Sequence, residues 1–180
     1  MKRTPWTERK FEFDLPVGVL PNILERLIGT PARLEELIRS LPPDILTVRV
    51  DGKWSIQEHA GHLWDLEELH EGRIDDYLRR TGVLRAADMK NEKTFKANHN
   101  LSSIRTILSS FRTTRERFVK RIGSLDDTTM AFAAVHPRLK QRMRPVDLSY
   151  FVAEHDDHHL TSIRELSLRS NNKGILTSKF

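Results

Sequence analysis

The sequence predicts an all-α protein, a four-helix bundle preceded by a short irregular N-terminal segment. In four long segments the apolar residues recur every three or four positions, which is the period of an amphipathic helix. No run of residues alternates convincingly between apolar and polar with the period of a β-strand, and the chain contains no internal repeat. Helices that each have one apolar face bury it by packing against one another, and four such helices form a bundle.

Length and composition are those of one globular unit. The chain has 180 residues, of which 38% are hydrophobic and 31% are charged. This size suits one domain with one sizeable core, and the apolar content is too high for a disordered chain. We therefore expect a single domain over residues 1–180, with its core at about residues 15–168.

The first helix is expected to begin near Pro21, because proline suits the first turn of a helix. Thr30 and Pro31 interrupt the apolar pattern that follows. Either Thr30 caps a new helix, or one helix continues through this point with a kink. Beyond its end, residues 46–50 can form a short extended piece.

The second helix has the clearest beginning. Ser55 and Glu58 have the spacing of a capping box, in which each side chain accepts a hydrogen bond from a backbone N–H group of the other residue. The helical pattern continues to about Arg80, and Gly82 is typical of a helix stop. The polar residues 85–100 contain at most a short helix.

The last two helices complete the bundle. The third is expected to begin at Leu101 or Ser102 and to end at Gly123. Its apolar stripe includes Arg115, whose aliphatic stem can cover the neighbouring apolar side chains. A long connection then leads to the fourth helix, which begins at Pro145.

The charge distribution does not favour a nucleic-acid partner. The net charge is +5, from 30 basic and 25 acidic residues, but the two signs are interspersed and no helix carries a basic cluster. The one local concentration of basic residues lies in the long connection, where it is either a solvated loop or a rim that attracts anions to a site. Its members are Arg138, Lys140, Arg142 and Arg144.

Composition also bears on the compartment. The longest apolar run, residues 130–135, is too short to cross a membrane, and no apolar segment typical of a secretory signal follows the basic start. The chain has no cysteine, which fits a reducing compartment and excludes disulfides, thiolate ligands and a cysteine nucleophile. We expect a cytoplasmic protein that does not contact membranes.

The histidines indicate a possible metal site. Six of the eight fall in two short segments: His59, His62, His70, His155, His158 and His159. His155 and His159 lie four positions apart, so they project from one helix face one turn apart, a spacing that lets two imidazoles bind one metal ion. Because the same face carries Val152 and Ile163, the two histidines are expected to point into the bundle. The alternative is a buried, hydrogen-bonded pair without a metal.

A facing helix can supply a third imidazole. His62 lies beside Leu63 and Leu66 in the second helix, whose apolar face must also point inward. His59 and His70 are competing candidates, and periodicity alone does not exclude His59. Three protein ligands with open coordination positions are typical of a catalytic metal, whereas structural sites are closed by four.

Three further residues are candidates near such a site. Asp65 lies one turn after His62, where it can orient an imidazole or act as a base on water; an exposed ion-pair partner is the alternative. His158 lies at the edge of the inward face, where it either supports the site or belongs to the surface. His136, which precedes the fourth helix, can reach the mouth of the site.

Two motifs resemble signatures of the DinB/YfiT-like family of metal-dependent enzymes. The segment Trp54–Glu67 resembles the first signature, a Trp-Ser helix start followed by a His-Leu-x-Asp step. The segment Glu154–Ile163 is similar to the second signature, H-x-x-H-H. Residues 11–16 also resemble the YfiT-like branch, and the likeness extends over about residues 10–168.

The resemblance implies a four-helix bundle in which His62, His155 and His159 bind a divalent metal ion, zinc or nickel, in a homodimeric protein. It also implies hydrolysis or thiol-dependent S-transfer on a small molecule. Since the chain has no cysteine, a thiol would have to come from an external low-molecular-weight compound. Asp65 and His158 are then the expected catalytic residues. A non-catalytic metal-binding or stress-related bundle is the alternative function.

Overall fold

The computed structural model describes the backbone of residues 3–177 and the side chains of residues 3–169. That part of the chain forms seven α-helices and one short antiparallel hairpin. The helices are α1 (Leu20–Arg39), α2 (Ile56–Asp65), α3 (Glu67–Leu78), α4 (Glu92–Ala97), α5 (Ile104–Gly123), α6 (Asp127–Ala131) and α7 (Pro145–Thr177), and the strands are β1 (Ala134–Val135) and β2 (Arg142–Met143).

Four long helical segments form the bundle: α1, the consecutive helices α2 and α3, α5, and α7. Helix α1 packs against α5 and α7, α2 contacts the same two helices, and α3 packs against α5. The predicted all-α four-helix bundle is therefore confirmed. No helix in the described part of the chain is long and apolar enough to cross a membrane.

Helix α1 runs through the interruption that the sequence suggested, as one helix with Pro31 inside it. Thr30 does not cap a second helix. Its side chain is buried, and its hydroxyl lies 3.1 Å from the carbonyl oxygen of Arg26 and 2.9 Å from Oδ2 of Asp156 in α7. The polar side chain at this point therefore joins α1 to α7.

The predicted second helix is divided at Leu66, between α2 and α3. Its start is the capping box that the sequence indicated: Ser55 Oγ accepts from the Glu58 N–H, and a Glu58 carboxylate oxygen accepts from the Ser55 N–H. Backbone hydrogen bonds still cross the division, from the Leu66 N–H to His62 and from the His70 N–H to Leu66. Through these bonds α3 follows α2 without an intervening loop.

Two connections differ from the sequence-based expectation. Residues 46–50 form no strand: residues 46–47 belong to a turn, and residues 48–50 are irregular. The long connection before α7 is not irregular throughout, because it contains α6 and the hairpin in which Ala134 pairs with Met143. The buried side chains of that pair join the main apolar core, which explains why the segment is ordered.

The N-terminal segment is attached to the start of α7. The Phe11 ring is buried and meets the Phe151 ring edge-on at 5.2 Å. The Asp147 carboxylate accepts hydrogen bonds from the backbone N–H groups of Asp14 and Leu15, at 3.2 and 3.1 Å. These contacts place Trp6 over the face of α7 that carries the histidines.

Candidate metal centre

Three imidazoles from two helices converge inside the bundle. His62 comes from α2, and His155 and His159 come from successive turns of α7; one ring nitrogen of each lies within 4.8 Å of the other two. The Nε2 atoms of His155 and His159 are 3.2 Å apart. We call these three residues the histidine triad.

The other two candidates for the third position lie elsewhere. His59 Nδ1 contacts His159 Nδ1 at 2.8 Å, on the side of that ring away from the Nε2 that meets His155. His70 belongs to α3, where its Nδ1 lies 3.2 Å from the carboxylate of Glu67. The structure thus groups His62 with the α7 pair, while His59 is a neighbour that orients one of them.

In two of the three rings, a hydrogen bond to the second nitrogen decides which nitrogen faces the centre. His62 Nδ1 lies 3.0 Å from the Thr94 hydroxyl, and His159 Nδ1 contacts His59 Nδ1. In both His62 and His159, Nε2 is therefore the nitrogen available to a metal ion. The Nδ1 atom of His155 is buried without a hydrogen-bond partner in the described part of the chain. Such outer contacts orient imidazole ligands and fix their tautomers.

Burial keeps the triad neutral. His62 and His159 are 4% and 5% exposed. Burial lowers the pKa of His62 to about 3 and lowers the pKa of His159 well below its ordinary value. The pKa of His155 is lowered by the same cause and by the neighbouring His62. Neutral imidazole is the form that binds metal ions, and three converging nitrogens suit borderline ions such as zinc or nickel, so these residues fit a divalent metal.

A cavity of about 520 Å³ adjoins the triad. Aromatic rings form much of its wall near the imidazoles: Trp6 meets His155 edge-on at 5.0 Å, and Trp54 lies 4.6 Å from His62. Further from the triad the wall includes Arg73, His136 and Arg138. The volume lies within the range of small-molecule sites, about 300–1,000 Å³.

Of the two predicted catalytic residues, His158 lines the cavity and Asp65 does not. His158 lines the cavity and is half-buried, and its ring nitrogens have no hydrogen-bond partner in the described part of the chain. Burial, with the charges of Arg3 and Arg9, lowers its pKa to about 4. Asp65 does not line this cavity; its carboxylate lies 2.8 Å from Nε2 of His99. Asp65 therefore orients an imidazole outside the triad.

Sequence reasoning missed several residues of the cavity wall. Arg73 could have been found, because it continues a helical stripe that starts at His62: cavity-lining residues occur at His62, Leu66, Leu69, His70 and Arg73. Trp6 on the wall, and Thr94 beside His62 outside it, carried no such signal, since they lie outside the four long helical patterns. Of the four basic residues in the long connection, Arg138 alone lines the cavity.

Comparison with known proteins agrees with this architecture. Residues 26–163, which include both histidine segments, match the DinB superfamily. The solved structure of YfiT from Bacillus subtilis, described as a probable metal-dependent hydrolase with an unusual four-helix bundle topology, superposes with a TM-score of 0.78. The match has 21% sequence identity and covers 91% of this chain and 94% of that one. Comparison with curated proteins gives no significant match. The resemblance in the sequence motifs is confirmed, and the chain belongs to the DinB superfamily.

Proposed function

We propose that this protein is a divalent-metal-dependent hydrolase of small molecules, with zinc or nickel held by the histidine triad. The observation that carries the proposal is the convergence of three neutral imidazoles beside a cavity of about 520 Å³. Three protein ligands leave coordination positions for substrate and water, as in catalytic rather than structural sites. The description of YfiT as a probable metal-dependent hydrolase supports the same reaction class.

The bound ion would act as a Lewis acid, polarising a substrate oxygen and making water a better nucleophile. The chain's own residues would supply positioning and proton transfer. His59 and Thr94 would fix the orientation of two ligand rings, because they contact Nδ1 of His159 and Nδ1 of His62, respectively. His158, a neutral imidazole on the cavity wall with free ring nitrogens, is the proposed proton acceptor.

Metal content tests the site. Protein purified without a metal-affinity tag is expected to contain about one divalent ion per chain by elemental analysis. His62→Ala and His159→Ala should each abolish uptake of added zinc or nickel. His70→Gln is the matched control, because it removes an imidazole from the same cavity wall and should retain the ion. Wild-type protein that takes up no ion, or loss of the ion in His70→Gln alone, would overturn the ligand set.

Activity separates the enzyme from a non-catalytic metal protein. Cobalt-loaded protein should change its visible spectrum when azide is added, because an open coordination position accepts an exchangeable ligand. Metal-loaded protein should then hydrolyse members of a panel of esters and amides, and His158→Ala should keep the metal and lose the turnover. A closed coordination shell would support the non-catalytic alternative. Turnover only with an added thiol and an electrophile would assign S-transfer instead.

A further inference from the structure

The cavity wall carries a buried cation without an ion-pair partner in the described part of the chain. Arg73 of α3 is 2% exposed, and its Nε donates to the carbonyl oxygen of Arg85 at 3.2 Å. Its Nη2 is buried and has no hydrogen-bond partner, and no carboxylate of the described residues lies within 4.0 Å of the guanidinium. Burial lowers the pKa of Arg73 to about 10, so the group remains charged at neutral pH. An unpaired buried charge is costly, which favours a function for it.

His136 presents a second donor without an acceptor. Its Nδ1 accepts a hydrogen bond from the backbone N–H of Leu139 at 3.2 Å, so the proton of the neutral ring is on Nε2. That Nε2 is buried and has no partner in the described part of the chain. Burial, together with the charges of Arg73 and Arg138, lowers the pKa of His136 to about 3. His136, Arg73 and Arg138 line the same cavity.

Arg138 adds a second guanidinium on the same wall. It is half-buried, and it lies 5.8 Å from the Phe151 ring and 6.0 Å from the Trp6 ring. No carboxylate of the described residues pairs with it, whereas Arg85 and Arg144 are paired with Asp76 and Asp147. The wall thus combines two unpaired cations with an unpaired N–H donor.

The acidic residue of the cavity does not offset these cations. Asp88 lines the cavity, but it is exposed, and its carboxylate already accepts hydrogen bonds from the backbone N–H groups of Lys90 and Glu92. Donors without acceptors, inside a cavity of small-molecule size, are complementary to an oxyanion. Guanidinium groups bind carboxylate and phosphate through paired hydrogen bonds.

We propose that Arg73, His136 and Arg138 form a subsite for a carboxylate or phosphate group of the substrate, here called the anion subsite. The Trp6 ring contacts both His155 and Arg138, so the subsite lies about one aromatic ring away from the triad. The inference deepens the proposed function: the substrate is a small anionic molecule whose charged end occupies the anion subsite and whose reacting end lies at the triad.

Binding to metal-free protein tests the subsite independently of catalysis. Chelator-treated protein at constant ionic strength would be titrated with succinate, with inorganic phosphate and with neutral succinamide, using calorimetry and the melting temperature. Succinate or phosphate should bind and raise the melting temperature, because a ligand of the folded state stabilises it. Succinamide should do neither. The tighter of the two anions identifies the group as carboxylate or phosphate.

Variants assign the binding to the named residues. Arg138→Gln should weaken anion binding at least tenfold, while Lys140→Gln, which removes an exposed positive charge from the same loop, should bind as the wild type does. Arg73→Met should lose the anion response yet melt no lower than the wild type in anion-free buffer, because it removes an unpaired buried charge. If Arg73→Met does not fold, Arg138→Gln decides the question.

Three outcomes would overturn the anion subsite: no anion binding by the wild type, equal weakening in Arg138→Gln and Lys140→Gln, or binding that requires zinc and survives in Arg138→Gln. The last outcome would place the anion on the metal and leave the proposed function intact. Anion binding by a protein that takes up no metal would have the opposite meaning, since the subsite would stand and the proposed hydrolase would fall.

Discussion

Asp156, the residue that follows His155 in α7, forms a fully buried ion pair with Arg115 of α5. Arg115 Nη2 donates to Asp156 Oδ1 at 3.1 Å, and the same nitrogen donates to Glu67 Oε1 of α3 at 2.7 Å. The side chains are 0–1% exposed. Arg115 lies over the Phe111 ring at 4.9 Å, among the apolar neighbours expected from the sequence, and its guanidinium is also the centre of a buried network. These hydrogen bonds join α7 to α5 and α3 at the residue that follows His155.

Removing Arg115 should destabilise the protein strongly. Arg115→Met leaves Asp156 and Glu67 as buried carboxylates without their counter-charge, and loss of one partner of a buried pair costs about 3–5 kcal/mol. Urea unfolding of the metal-free protein would measure the change in the free energy of unfolding. Arg112→Met is the matched control in α5: it breaks the half-exposed pair with Glu35 and should cost less than about 1 kcal/mol. Equal losses in the two variants would contradict the structural role of the network.

The same network predicts how stability depends on pH. Burial opposes ionisation of Glu67, but the Arg115 charge and His70 outweigh it and lower the pKa of Glu67 to about 2. A carboxyl group with a depressed folded-state pKa contributes stability that is fully present above its unfolded value of 4.5 and is lost as the pH falls toward 2. The free energy of unfolding should therefore decrease between pH 4.5 and 2, and Glu67→Gln should show a weaker decrease over that window. An unchanged slope in Glu67→Gln would exclude this assignment.

Gly61 is required for the close approach of His99 to α2. A Cβ atom at Gly61 would lie 2.2 Å from Cγ of His99, a ring that is 2% exposed and held by Asp65. Gly61→Ala should lower the free energy of unfolding by about 1–3 kcal/mol, because the buried ring has to move. Gly29→Ala is the control inside α1, where an added Cβ meets nothing within 4 Å and alanine should stabilise by about 0.5–1 kcal/mol. Thermal unfolding of both variants checks the opposite signs.

Thr94 is predicted to act as a positioning residue for His62. Thr94→Val keeps the volume but removes the hydroxyl that lies 3.0 Å from His62 Nδ1, and loss of such an outer contact typically weakens metal binding about 10–100-fold. Competition with a metal-binding dye would measure the zinc affinity, and the stoichiometry should remain one ion per chain. Thr94→Ser, which restores the hydroxyl, should recover most of the affinity. Full affinity in Thr94→Val would mean that the hydroxyl does not orient the ligand.

Local patterns were sufficient for the four long helical segments and for one part of the candidate site. The capping box of Ser55 and Glu58 lies within four residues, so short-range chemistry specifies it. The pairing of His155 with His159 follows from helical geometry, which places residues four apart on one face. The bundle itself follows from four amphipathic periods, because apolar faces of that kind are buried against one another.

Contacts between distant segments decided the rest. Periodicity could not choose among His59, His62 and His70, because all three choices depend on how α2 and α3 rotate against α7. The unpaired donors on Arg73 and His136 could not be predicted either, because they lie in α3 and in the loop before α7, which line one cavity only in the folded protein. The sequence by itself determined the four long helical segments, the absence of thiol ligands and the inward histidine pair, since each depends on neighbouring residues or composition alone. Only the tertiary structure decided the third imidazole, the burial of Arg115 and the cations of the cavity, because each depends on the packing of side chains that are far apart in the chain.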